Sequence, residues 1–135
     1  MIKIAFVEQT TVGDYMFVDW GELGEGHDKE TNVVVKEGEY IEGIVEGIRE
    51  NENYGRCYIL RSKKYDKPLY LKGSYNLNGE MGYFGDIDLY KSKYGEVPKR
   101  FQDVRKILEG DVVRVTYHGK RNNAYQITVA VDDGK

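Results

Sequence analysis

The chain has 135 residues, a net charge of −3, 40% hydrophobic and 32% charged content, which fits one soluble domain with a real core. No apolar run approaches the roughly 20 residues of a membrane helix, and MIKIAFVEQ is too short and too early-charged for a signal peptide. A single cysteine, Cys57, allows no internal disulfide, so a reducing, cytoplasmic setting and a small core residue are expected. The charge is unevenly spread. Residues 1–53 hold 4 basic and 13 acidic residues, a net −9, and residues 54–135 hold 16 and 10, a net +6. A locally basic face on a globally acidic chain can still meet a polyanion.

In chain order, residues 2–7 read as a short strand, residues 10–14 as a turn and Tyr15–Trp20 as a second strand. Residues 21–32 are a loop. Its three glycines make no phosphate cradle, because Glu22, Glu25, Asp28 and Glu30 would repel phosphate and no Gly-Lys-Ser/Thr follows. His27 lacks the second histidine or cysteine that a metal would need, so no metal is expected. The acids Asp19, Glu22, Glu25, Asp28 and Glu30 read as a solvated loop. The sharper alternative is an acidic segment that competes with a polyanion for a basic groove or holds a partner protein.

Val33–Val35 and a turn lead to a long strand, Tyr40–Arg49. Gly43 and Gly47 share a face with Ile41 and Val45. Glycines inside a strand mark a bulge, a bend or a close backbone approach, so this strand should coil enough to serve two sheets. Glu42 and Glu46 are a carboxylate pair with nothing beside them to make acid–base chemistry.

Tyr54–Tyr75, YGRCYILRSKKYDKPLYLKGSY, interleaves tyrosines with basic residues. Flat rings beside positive charge suit a single-stranded nucleic acid, whose bases stack and whose phosphates are neutralised. The stretch divides into a strand at Arg56–Ser62, a turn with a charged tip at Lys63–Asp66 and a strand at Lys67–Lys72. Alternation gives Cys57 and Ile59 one face, read as aliphatic and core-facing, and Arg56 and Tyr58 the other. In the second strand Leu69 and Leu71 oppose Tyr70 and Lys72. Leu60 breaks the pattern by falling on the basic-aromatic face. Tyr54, Tyr58 and Tyr70, with Tyr65 as a further candidate, are the expected stacking rings. Arg56, Arg61, Lys63, Lys64, Lys67 and Lys72 are the expected phosphate contacts.

Residues 76–81 hold turn residues, and residues 82–95 form a hairpin or extended loop in which Tyr90, Lys91, Lys93 and Tyr94 repeat the aromatic-basic theme. Val97, Phe101, Val104, Ile107 and Leu108 fall at spacings of three and four, predicting one helix over Val97–Leu108 with Pro98 in its first turn and Gly110 ending it. Two strands close the chain, Asp111–His118 and Tyr125–Val131. The loop between them carries Lys120 and Arg121, two further phosphate contacts. His118 beside it has no metal partner.

From Tyr40 onward the order is three strands, a helix and two strands, with the first strand glycine-bent. That is the element order of an OB-fold, a five-stranded barrel whose second and third strands and adjacent loops bind single strands. The chain also resembles the OB-fold single-stranded DNA-binding proteins of bacteriophages and related viruses. The match lies in EGEYIEGIVEGIREN (Glu37–Asn51), YGRCYIL (Tyr54–Leu60), LKG (Leu71–Gly73), GDVVRVTYHGK (Gly110–Lys120) and YQITVAVDD (Tyr125–Asp133).

The expectation is therefore a single, mainly β domain: an OB-fold-like core over residues 37–133, one helix between its third and fourth strands, and an N-terminal β extension over residues 1–36. The resemblance implies sequence-tolerant binding of single-stranded DNA in replication, recombination or repair, no catalysis and no cofactor, with replication or recombination proteins as further partners and no membrane. Two departures stand out. Asp132-Asp133-Gly134-Lys135 is too short for the acidic tail that recruits partners in many such proteins, and residues 1–32 have no counterpart. The alternatives are an RNA-binding OB domain, separated by the 2′-hydroxyl, and a β-rich viral structural or protein-interaction module that uses tyrosines as anchors. A hydrolase ranks below both, since no nucleophile–base pair appears.

Overall fold

The computed structural model describes residues 15–51, 55–83 and 97–132. Seven strands are formed among these residues: β1 Met16–Trp20, β2 Asn32–Val35, β3 Tyr40–Asn51, β4 Gly55–Arg61, β5 Leu69–Lys72, β6 Val112–Arg121 and β7 Ala124–Asp132. Among the described residues two short helices, α1 Tyr75–Glu80 and α2 Lys99–Gln102, fall between β5 and β6 in sequence. The strands make one curled sheet, half a barrel, in the order β2-β1-β5-β4-β3-β6-β7.

The mainly β class agrees with the sequence, but the sheet has seven strands where a barrel of five was expected. The N-terminal strands are no appendage. β1 runs parallel to β5, with Met16 opposite Leu69 and Phe17 opposite Tyr70, and β2 runs parallel to β1. Val18, Trp20, Val33 and Val35 share one core with Ile41, Val45, Leu60, Leu69, Leu71, Val113 and Val115. The expected strand at residues 2–7, the turn at 10–14, Tyr54 and the aromatic-basic residues 90–94 lie outside the described residues.

β3 sets the curvature. Its first half pairs with β6 from Tyr40 to Ile44 and its second half with β4 from Ile44 to Asn51. The β3–β4 register shifts between Val45 and Gly47, so Glu46 is an extra residue in a bulge, and bulges bend and twist a strand. A Cβ at Gly43 would stand 2.5 Å from the Arg61 carbonyl oxygen. Only glycine fits where the two backbones approach so closely.

The expected helix over Val97–Leu108 is confined to Lys99–Gln102. Its apolar stripe serves two places: Phe101 packs with Tyr83, while Ile107 enters the main core and Leu108 is exposed. Polar bonds fix the departure. Asp111 accepts two hydrogen bonds from the Arg105 guanidinium, at 2.9 and 3.0 Å, and one from the Leu108 amide at 2.8 Å. These bonds hold its carboxyl below the usual range, the Arg105 bond being the main cause.

Helical structure appears instead at Tyr75–Glu80, among residues expected to turn. Ser74 caps it by accepting from the Leu77 amide. A Cβ at Gly79 would meet the Phe101 ring at 2.5 Å, so this glycine lets the two helices touch. Asn76 Nδ2 donates to the Tyr125 carbonyl at 2.7 Å, and the Val129 amide donates to Glu80 at 3.1 Å. Side chains of α1 thus satisfy backbone groups of β7 that a further strand would otherwise have paired.

The face assignment of β4 is corrected. Alternation holds, but Tyr58 and Leu60 belong to the main core, at 1% and 0% exposure. Tyr58 lies opposite Leu71, and Leu60 opposite Leu69. The Tyr58 hydroxyl donates to buried Asn78 at 2.8 Å. Cys57 and Ile59 are buried as well, so β4 is covered on both faces. Tyr58 is a structural ring and not a stacking platform. Tyr58→Ala should therefore cost about 3–5 kcal/mol of stability, as for other large core truncations. Tyr58→Phe, which removes only the hydroxyl, should cost about 1 kcal/mol. Urea unfolding followed by circular dichroism measures both, and an alanine variant as stable as the parent would put the ring back on the surface.

Candidate functional site

One end of the curled sheet encloses an open cleft of about 530 Å³. Trp20 from β1, Tyr117 from β6 and Tyr125 from β7 line it. Trp20 and Tyr117 have ring centroids 5.7 Å apart, and Tyr117 meets Tyr125 edge-on at 6.0 Å. Trp20 and Tyr117 are almost wholly buried, and Tyr125 is half-buried. The first two therefore support the third, whose ring borders the cleft. Burial raises the pKa of the Tyr117 hydroxyl, helped by Tyr125, Glu37 and Glu22.

Lys72 and Ser74 line the cleft from the junction of β5 and α1, and Lys120 lines it from the β6–β7 hairpin. The aim of Lys120 comes from local structure. The β6–β7 register shifts between Tyr117 and Lys120. Without the extra residue, alternation would put Lys120 on the face opposite Tyr117. With it, Lys120 pairs with Tyr125 and its ammonium lies 5.3 Å from the centre of that ring. Gly119 takes φ +101° within the bulge, and Asn122 and Asn123, at φ 52° and 63°, make the two-residue turn that follows.

The other rim is the loop between β1 and β2, residues 21–31, of which Glu22, Leu23, Glu25 and His27 line the cleft. Asp19 organises it. Its carboxylate accepts from His27 Nδ1 at 2.8 Å, from the Gly24 amide at 3.2 Å and from Asn32 Nδ2 at 3.3 Å. A Cβ at Gly24 would fall 2.5 Å from the His27 ring, so the ring lies directly against this part of the loop. Parallel strands need a long crossover, usually a helix; here a partly buried carboxylate holds a loop in that role.

Of the sequence-derived candidates, the cleft brings Lys72 and Lys120 together, and Arg121, next to Lys120 on the β6–β7 hairpin, is exposed. The turn between β4 and β5 keeps Lys63 and Lys64 exposed, as expected, and also takes in exposed Lys67, since β5 begins at Leu69 and not at Lys67. None of the three lines the cleft. Tyr65 is half-buried against the main core, with the Lys64 ammonium 5.9 Å from its ring centre. Arg56 is largely buried and engaged. It bonds Glu50 at 2.8 Å and lies 4.1 Å over the Tyr83 ring, whose hydroxyl also donates to Glu50. Arg61 is ion-paired with Glu46. Tyr70 packs against Tyr15 and Phe17, at centroid distances of 5.5 and 5.2 Å.

Trp20, Tyr117, Tyr125, Asp19 and His27 did not figure among the candidate binding residues. The period-2 pattern identifies Tyr117 and Tyr125 as inward-facing but carries no sign that the sheet curls and leaves a cleft beside them. No family model matches the chain, and neither a curated protein nor a solved structure matches it.

Tyr70 gives the outer aromatic cluster a signature. Burial, and secondly the neighbouring Cys57 thiol, push its hydroxyl up to about 12. An unfolded chain ionises tyrosine near pH 10, so the folded state holds this proton more tightly. Its contribution to stability is complete below about pH 10 and is lost as pH rises toward 12. Thermal melts between pH 9 and 12 should show the parent losing stability more steeply than Tyr70→Phe. Parallel curves would mean that the ring is solvated.

Proposed function

We propose that this protein binds single-stranded nucleic acid, DNA in the first place, with little sequence preference and without catalysing a reaction, and that the cleft is the centre of its binding surface. The observation that carries the reading is convergence. Lys72 and Lys120, from elements far apart in sequence, line one cleft with the aromatic group Trp20, Tyr117 and Tyr125. A base can stack on the Tyr125 ring while the two ammonium groups meet the flanking phosphates. Arg121 and the exposed lysines Lys63, Lys64 and Lys67 extend the positive surface.

The topology supports an OB-type barrel as the frame. Strands β3 to β7 lie in the order β5-β4-β3-β6-β7, with the glycine-bent strand in the middle and α1 against β7. Lys72 ends what would be the third barrel strand, and Lys120 lies on the hairpin joining the fourth and fifth, positions at which OB-folds bind single strands. The corresponding biological role is protection or presentation of single strands in replication, recombination or repair, inside a cell or an infected host. Among the described residues, no helix is long and apolar enough to cross a membrane.

A protein-binding module has one observation in its favour. Tyr40, Ile44 and Val112 are exposed at 49%, 45% and 37%, and Ile44 and Val112 are direct cross-strand neighbours. Arg114 lies over the Tyr40 ring at 4.1 Å and bonds Glu42, which makes this patch mixed in character and the smaller claim.

Fluorescence-anisotropy titration with oligo-dT, oligo-U and duplex DNA at two salt concentrations tests the proposal. Oligo-dT should bind tightest, with a log–log salt slope of roughly −0.7 per neutralised phosphate. Lys72→Ala with Lys120→Ala should flatten that slope by about 1.4, two phosphates' worth, and leave the melting temperature nearly unchanged. Duplex binding as tight as oligo-dT binding, or an unchanged slope in the double variant, overturns the assignment. Tighter binding to oligo-U than to oligo-dT transfers the reading to RNA.

A further inference from the structure

The loop of residues 21–31 lines the same cleft as Lys72 and Lys120 and brings carboxylates to it. Glu22 and Glu25 are exposed. A polyanion entering the cleft must approach them, and carboxylates beside phosphates repel within a screening length of about 10 Å at 0.1 M salt. A loop with no bearing on the cleft could lie in many arrangements. This one is tied in place by the bonds of Asp19 to His27, Gly24 and Asn32. Beyond that hub, Asn32 Oδ1 accepts from the Thr31 hydroxyl at 2.8 Å and the Asp28 carboxylate accepts from the Glu30 amide at 2.7 Å.

Resting on the single-strand reading above, we propose that residues 21–31 form an anionic gate on the cleft. Glu22 and Glu25 stand in for phosphate beside Lys72 and Lys120 when the cleft is empty, and the Asp19–His27 pair is the latch that keeps them there. A nucleic acid must displace these carboxylates. Short or weakly charged ligands displace them poorly, while a long strand that also engages Arg121 and the lysine-rich turn does so readily. The gate thereby favours extended strands over mononucleotides and other small anions.

The latch is open to perturbation. The His27 side chain is about one-third exposed and Asp19 is mostly buried, at 34% and 13%. Replacing His27 removes the loop's side-chain hold on Asp19 without entering the core.

The test compares the full chain with Glu22→Gln/Glu25→Gln and with His27→Ala, titrated with a short and a long oligo-dT at low and high salt. Both gate residues are exposed, so the double variant should melt with the parent. Its affinity should rise at low salt by about two- to fivefold per carboxylate, the scale of an exposed charge pair, and more for the short oligonucleotide. The gain should disappear at high salt. His27→Ala should gain in the same direction.

Equal or weaker binding by the double variant, in a protein whose parent binds oligo-dT, overturns the gate and leaves the binding proposal standing. A selective loss would make the carboxylates contacts to bases. A gain in the double variant without one in His27→Ala removes the latch from the mechanism. Failure of the parent and of both variants to bind any oligonucleotide overturns the single-strand reading itself, and the gate with it.

Discussion

Everything at the cleft depends on the curl of the sheet. β1 and β6 are four steps apart in strand order, and a flat sheet would hold them about 19 Å apart at the usual strand spacing. The rings of Trp20 and Tyr117, one from each strand, have centroids 5.7 Å apart. The glycines and the bulge of β3, one step from β6, lie on that path. Gly43 admits the β4 backbone and Glu46 is the bulged residue. With a regular β3 the same side chains would line a flatter surface, and Lys72 and Lys120 would sit on separate parts of it.

The strands, and the bend in β3, were legible because both depend on local signals: period-2 alternation and paired glycines inside an apolar run. The face of β4 was legible in principle. Leu60 shares its side with Tyr58, and the Leu69/Leu71 face of the next strand is the one that must meet it across the pair. The greasiest face of a hairpin can be judged only from both strands together, and in β4 the other side is buried too. The helix at Val97–Leu108 failed for a different reason. Its spacing was helical, but Phe101 and Ile107 are drawn to different clusters, and Asp111 offers Arg105 and the Leu108 amide better partners than a continued helix would. Lys120 and Arg121 look like loop residues in the sequence; the one-residue bulge that turns Lys120 onto the aromatic side has no pattern of its own beyond Gly119.

Polar side chains here do work usually given to backbone. Asn76 and Glu80 bond the β7 strand at its edge. An open edge is a template for unwanted pairing, and a helix with two well-placed polar residues covers it without the register demands of another strand. Asp19 plays a comparable part for the crossover between β1 and β2. In both cases the residue types are ordinary surface polars, and their weight comes from position alone. Composition therefore says little about which of the acidic residues are solvated and which hold the structure together.

The strand order also sets when the molecule can become itself. Glu42 and Arg114, bonded across β3 and β6, are 72 residues apart in sequence, and β1 waits for β5, which lies beyond the whole of β3 and β4. Few pairings other than the β3–β4, β4–β5 and β6–β7 hairpins can form early. Topologies dominated by distant contacts fold slowly, because loop closure must precede its reward. On a ribosome, the first half of β3 emerges long before its partner β6 and carries Ile41 and Val45 uncovered in the meantime. The negative charge crowded into residues 1–53 makes neighbouring nascent chains repel one another while that strand is half-paired, until the C-terminal hairpin arrives.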